Sequence, residues 1–252
     1  ADNLTVTERL LDEIPHMRRG RNGEKLLSNL LKREINKTYH HLPDDRLDSP
    51  LEGDSKIIAA IMLRFIQRML VCEKALAPFE FYSAEMKERF CWMIEDGIEI
   101  NFTMSVDRVD YLPDGSIRFI DYKTGADKTD VGDCSKLFSG HDTDAVFQLL
   151  LYSEAYCACH GIDADIHPMV YKFKTISTEG LVDCTISTPE HKKFKLSSHK
   201  QVHDYFMPQL RHLISRIFDT DEPFYQAKNE DDCKYCKFIS MCGRSARIDT
   251  QS

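Results

Sequence analysis

The chain has 252 residues, 42% of them hydrophobic, and carries 33 Lys and Arg against 41 Asp and Glu for a net charge of −8. That length sustains a sizeable core, and with no apolar run as long as a membrane span and no opening signal peptide, a soluble, cytoplasmic globule without a membrane partner is expected. Nine Cys, an odd number outside any secretory context, favour reduced thiols and a metal site over disulfides.

The first element is a charged N-terminal region, Leu4 to Tyr39, with helix-like Leu26, Leu27, Leu30 and Leu31. Residues 40–50, rich in His, Asp and Pro, read as a linker. From Asp54, a candidate cap, the apolar positions Ile57, Ile58, Ile61, Met62, Phe65, Met69 and Leu70 recur at helical spacing up to Pro78. Cys72 in that helix reads as a small core hydrophobe.

Phe79 to Trp92 has strand character with Glu85 inside it, and Ile98–Leu112 and Ser116–Lys123 form a hairpin. A helix carrying Gln148 and Tyr152 follows and stops at Gly161, a natural left-handed end. Ile166–Ser177 and Leu181–Ser187 read as strands, and Val202–Phe218 as a helix with Pro208 inside it, so that its start is displaced or it kinks. The order is α-β-β-β-α-β, an α/β class. Basic runs Arg18, Arg19 and Arg21, or Lys192, Lys193 and Lys195, are candidate local strips for a polyanion, although such charge runs more often mark solvated faces.

The hairpin holds the chemistry. Pro113-Asp114-Gly115 supplies a fixed φ and a glycine free to turn, which centres a three-residue loop on Asp114. That register sets Asp107 opposite Asp121, and alternation along the strand places Lys123 on the face of Asp121. Facing carboxylates repel unless a cation sits between them. A hard divalent ion, Mg²⁺ or Mn²⁺, prefers such oxygens and completes its shell with waters and phosphate oxygens, with the Tyr122 carbonyl a further candidate ligand. Lys123 adds the compact positive charge that a nucleophilic water and a phosphoryl transition state need. The same residues also describe a surface hairpin in which Asp121 and Lys123 merely pair.

With Asp107 in Val-Asp-Arg-Val-Asp, Asp121 and Lys123 in Ile-Asp-Tyr-Lys-Thr-Gly, and Gln148 with Tyr152 four residues apart on a helix, the sequence resembles the PD-(D/E)XK nuclease superfamily, and within it the RecB/AddB-like branch. The resemblance implies a restriction-endonuclease-like core, a central mixed β-sheet flanked by helices, over residues 51–252, with 1–50 as an N-terminal helical region and linker. It also implies that both acids bind metal, that Lys123 is catalytic, that Gln148 and Tyr152 support the site, and that DNA is the substrate. A helicase subunit or domain is the implied partner, in a DNA repair or recombination context.

Near the C-terminus, Cys233, Cys236 and Cys242 stand in a C-x2-C-x5-C array, which can supply three thiolates to one metal centre but does not close a tetrahedral site. In the resembling nucleases such a triplet joins a distant upstream Cys to hold a 4Fe-4S cluster. No upstream Cys-Pro segment, and no following helix with an active-site His or Glu, is found here. The expectation is therefore a C-terminal piece of a larger protein, its triplet holding no cluster, holding Zn²⁺, or free. Two other classes fit the residues: a nuclease-fold module without catalysis that holds DNA, and a zinc-stabilised protein-interaction domain.

Overall fold

The turn at Pro113-Asp114-Gly115 determines how the sheet is assembled. In the computed structural model the Leu112 N–H bonds the Ser116 carbonyl at 2.9 Å, the Gly115 N–H bonds the Leu112 carbonyl at 3.0 Å, and Gly115 takes φ +85°. Asp114 Oδ1 accepts from the backbone N–H of Ser116, 2.9 Å away, which locks the loop. The register is the one the three-residue loop implies, with Asp110 opposite Arg118 and Arg108 opposite Ile120.

The structure describes residues 4–7, 10–11, 21–95, 97–125, 127–138, 143–176, 178–223, 225–227, 233 and 236–244, with backbone only for 21–25. Arg18 and Arg19, candidates for a basic strip, lie outside the described residues, as does the side chain of Arg21. The chain divides into two compact units, Ala1–Gln209 and Leu210–Ser252. The sheet belongs to the first.

Six strands run in spatial order β1 (Leu4–Val6), β2 (Phe79–Glu95), β3 (Ile98–Tyr111), β4 (Ile117–Lys123), β5 (Ile166–Lys172) and β6 (Leu181–Asp183). All neighbours are antiparallel except β4 and β5. That parallel pair needs a crossover, and α3 (Asp144–His160) supplies it. The result is a mixed α/β sheet with helices, as the sequence predicts. The N-terminal region contributes more than a helix: Leu4–Val6 pairs with Phe79–Phe81, while α1 (Arg21–Thr38) begins later. Asn36 then pins the linker, donating to the carbonyls of Leu47 at 2.8 Å and Ser49 at 2.9 Å.

Three local expectations are corrected. Asp54 does not cap α2 (Asp54–Leu76); Gly53 holds the cap position at φ +53°, and Asp54 is the first helical residue, where its charge meets the positive end of the helix. The strand expected over Leu181–Ser187 is divided, because Thr185 leaves β6 to pair with Lys195, forming β7 (Thr185–Ile186) and β8 (Phe194–Lys195). The strand from Ile166 ends at Lys172 and passes into a 3-10 turn, Phe173–Thr175. The last helix, α4 (His203–Phe218), contains Pro208 and follows a 3-10 turn, His199–Val202, that Ser198 and Gln201 close as a capping box.

The two sheet faces differ in what covers them. Tyr156 of α3 packs edge-on to Phe119 of β4, ring centroids 5.4 Å apart, and Tyr152 of α3 meets Phe102 of β3 at 6.0 Å. Behind β4, Ile120, Tyr171 and Ile176 form a cluster to which Phe65, Met69 and Cys72 of α2 add partly buried surface. Only the C-terminal half of the expected α2 stripe packs, since Phe65, Met69 and Leu70 meet the core clusters while Ile57, Ile61 and Met62 are exposed.

Candidate active site at the fork of β3 and β4

Pairing between β3 and β4 stops at Arg108 and Ile120, and the next pair in that register is Asp107 and Asp121. Here the strands part. The backbone N–H of Tyr122 is bonded not by a β3 carbonyl but by Asp107 Oδ2, at 2.7 Å. The side chain therefore stands in for the missing ladder acceptor, which places the Asp107 carboxylate between the strands next to Asp121.

The cause is a slip in alternation. Phe102 of β3 touches α3, and Tyr111 also acts on Tyr156 of α3, although the two are an odd number of residues apart and a regular strand would turn them to opposite faces. The pairing of β2 with β3 passes from Ala84–Arg108 to Met86–Val106 and skips Glu85 and Asp107, and Glu85 takes φ +52°. A non-glycine residue in the left-handed region marks an irregularity of the strand. It falls beside Asp107.

Asp121 is 6% exposed, and Lys123 Nζ lies 3.0 Å from its Oδ2. The ion pair lacks hydrogen-bonding geometry, so this buried oxygen has no hydrogen-bond partner. Burial pushes the Asp121 carboxyl above its ordinary range; Lys123 opposes the shift, and the charges of Asp107 and Asp127 add to it. An under-satisfied buried acid beside a second acid is the electrostatic condition that a cation relieves. Among the described residues no three His, Cys, Asp or Glu side chains are placed to share one metal ion. The protein donor set here is two carboxylates, of which Asp107 spends one oxygen on the Tyr122 amide.

Gln148 Nε2 donates to the Tyr152 hydroxyl at 3.1 Å, as residues four apart on a helix can. Among the described residues no hydrogen bond ties this pair to Asp107, Asp121 or Lys123. The Tyr122 ring turns to the other side, stacked on Tyr171 and Phe173 at 5.6 and 5.8 Å.

Two groups of residues escape sequence reasoning. Asp127, in the segment after Lys123, folds back over Gly125, where an added Cβ would come within 2.7 Å of its Oδ2. Its signal is the glycine. The larger omission is a buried ionic network. Glu73 of α2 accepts from Arg108 through both oxygens, at 2.8 and 2.9 Å, and from the Tyr171 hydroxyl. Arg108 also donates to Asp110 at 2.8 Å, and Asp110 accepts from Arg118 at 2.7 Å. Both guanidinium groups lie over the Phe79 ring, at 5.0 and 4.8 Å. Burial works against the charge of Arg108, but the hydrogen bonds from Glu73 and Asp110 outweigh it and hold the guanidinium protonated. A lone Glu in an apolar helix facing an Arg-x-Asp strand is the available signal.

In the second unit, Cys233, Cys236 and Cys242 lie on successive turns: the Cys236 N–H bonds the Cys233 carbonyl at 3.1 Å, and Arg244 Nη1 approaches Cys233 Sγ at 3.0 Å. The thiols do not meet at one centre, so this arrangement does not fit the cluster or zinc site that their spacing suggests. Of the lysines named as a basic strip, Lys193 and Lys195 are ion-paired with Asp130 and Asp183. No described helix is long and apolar enough to cross a membrane.

A family model described as the PD-(D/E)XK nuclease superfamily matches residues 7–243. No curated protein matches the chain. Among solved structures, the crystal structure of SSO0001 is similar at 14% identity and a TM-score of 0.30, over 93% of this chain and 94% of that one.

Proposed function

The chain belongs to the PD-(D/E)XK nuclease superfamily, and we propose from that premise that it hydrolyses phosphodiester bonds of DNA at the fork of β3 and β4, as a Mg²⁺- or Mn²⁺-dependent deoxyribonuclease. The observation that carries the reading is the buried Asp121 carboxylate, short of a hydrogen bond and set beside Asp107 and Lys123. Asp107, Asp121 and the Tyr122 carbonyl would hold the divalent ion, whose chemistry when bound is to polarise a phosphoryl oxygen and to make a bound water acidic. Lys123 orients the attacking water and offsets charge that builds on the phosphoryl oxygens. Gln148 and Tyr152 support the site from α3 and contact the DNA strand.

The pairing of the hairpin acids with a Gln148–Tyr152 helix supports placement in the RecB/AddB-like branch, hence an exonuclease that works with a helicase subunit or domain in cytoplasmic DNA repair or recombination. An iron-sulfur cluster is not part of this reading, because the three thiols do not converge. The test is cleavage of duplex and single-stranded DNA in Mg²⁺ or Mn²⁺ by the wild type and Asp121→Asn. Loss of cleavage in a folded variant supports the assignment, and retained cleavage sinks it.

A second reading keeps the fold without catalysis, as a DNA-holding module. The absence of a three-residue ligand group among the described residues favours it. Calorimetric titration with Mn²⁺ separates the two: a competent site binds the ion and loses it in Asp107→Asn.

A further inference from the structure

Beyond the fork, β2 and β3 continue as a two-stranded ribbon whose faces are chemically distinct. One face is clad in rings: Phe90 stacks on Phe102 at 5.5 Å, Trp92 meets Phe102 at 5.7 Å, and Trp92, Ile94, Met104 and Val106 are buried. The opposite face carries Lys87 and Arg89 on β2, directly across from Ser105 and Thr103 on β3, followed by the pair Cys91 and Asn101 and, at its far end, Met93 and Glu99, whose carboxylate is bonded by Cys91. Lys87, Arg89, Asn101 and Thr103 are exposed.

Among the described residues, neither Lys87 nor Arg89 has an acidic partner at ion-pair distance. Lys193, Lys195 and Lys200, by contrast, are each held by an Asp. Cations held by carboxylates are already neutralised; Lys87 and Arg89 leave a local positive field on a chain of net charge −8. Ser, Thr and Asn beside Lys and Arg are the donors that meet phosphate oxygens. The row also begins at the fork, because Ser105 is two residues from Asp107.

We propose that this outer face is a docking strip for the phosphate backbone of duplex DNA, leading the substrate to the fork. The duplex is the occupant because, among the described residues, no aromatic ring is on this face. Single-strand binding relies on bases stacked on exposed rings, and the rings of this ribbon point the other way. The proposal rests on the nuclease reading for its substrate, yet it is tested without cleavage.

The experiment is fluorescence anisotropy with a labelled duplex oligonucleotide in chelator across a salt series, for the wild-type chain and Lys87→Ala/Arg89→Ala. Two lost phosphate contacts lower the slope of log affinity against log salt by about 2, since each contact contributes about 0.9. The exchange Lys87→Arg/Arg89→Lys restores the slope, which a merely structural disturbance would not allow. An unchanged slope, no duplex binding by the wild type, or an equal loss on the single strand overturns the proposal. Absence of cleavage by the wild type together with an altered slope strikes the nuclease reading alone; an active enzyme with an unaltered slope strikes the strip alone.

Discussion

Asp107 and Arg108 are consecutive, yet their charges are treated in opposite ways. Arg108 is gripped by Glu73 and Asp110, and Asp110 by Arg118, in a closed set of buried partners. Asp107 lies where pairing fails, and its neighbour Asp121 keeps a buried oxygen without a hydrogen bond. One side of the fork completes its electrostatics within the chain, while on the other Lys123 offsets the burial of Asp121 only in part.

The comparison breaks most visibly at its anchor. Arg108→Ala leaves the buried Glu73 without a cationic partner, held only by the Tyr171 hydroxyl, while Asp110 keeps Arg118, and a loss of about 3–5 kcal/mol is expected in denaturant unfolding. On the open side the sign reverses. Asp121 titrates above the ordinary carboxylate range in the folded state because burial disfavours its charge, so its ionised form costs stability near neutral pH. Asp121→Asn should therefore raise the melting temperature while lowering cleavage by roughly a hundredfold or more, the scale of losing a preorganised charged group.

A buried histidine outside both sets of partners gives a pH test. His199 Nδ1 accepts from the Ile166 N–H at 3.3 Å, and burial with nearby Lys200 and His203 depresses the ring to about 4. Between that value and the unfolded value of about 6.5, the unfolded chain binds more protons. Stability is complete above pH ~6.5 and declines as the pH falls toward ~4, by up to roughly 3 kcal/mol. A unfolding series across this range should show the decline, and His199→Gln should flatten it. The smallest effect concerns the slip itself: Glu85→Gly relieves the left-handed φ at a cost in chain entropy, for a net gain of up to about 1 kcal/mol by thermal unfolding.

Reading the sequence recovered the hairpin register because Pro113-Asp114-Gly115 determines it locally. It also recovered the end of α3 at Gly161, where the residue adopts φ +61°, and the packing of Phe65, Met69 and Leu70 on α2, but not the exposure of Ile57, Ile61 and Met62 on the same stripe. The position of Asp107 depends on a slip shared by two strands, and nothing in the local pattern around Glu85 requires one; strict alternation brings Asp107 beside Asp121 but cannot supply its bond to the Tyr122 amide. The Glu73 network was hidden because its partners come from three distant segments, and helical periodicity treats a polar position as outward. The cysteine spacing was legible, but spacing does not make thiols converge.

The capture of one backbone amide by a carboxylate makes that amide a reporter. Tyr122 exchanges its hydrogen slowly only while Asp107 stays docked on it, so hydrogen-deuterium exchange at this one position registers when the acid turns to another task.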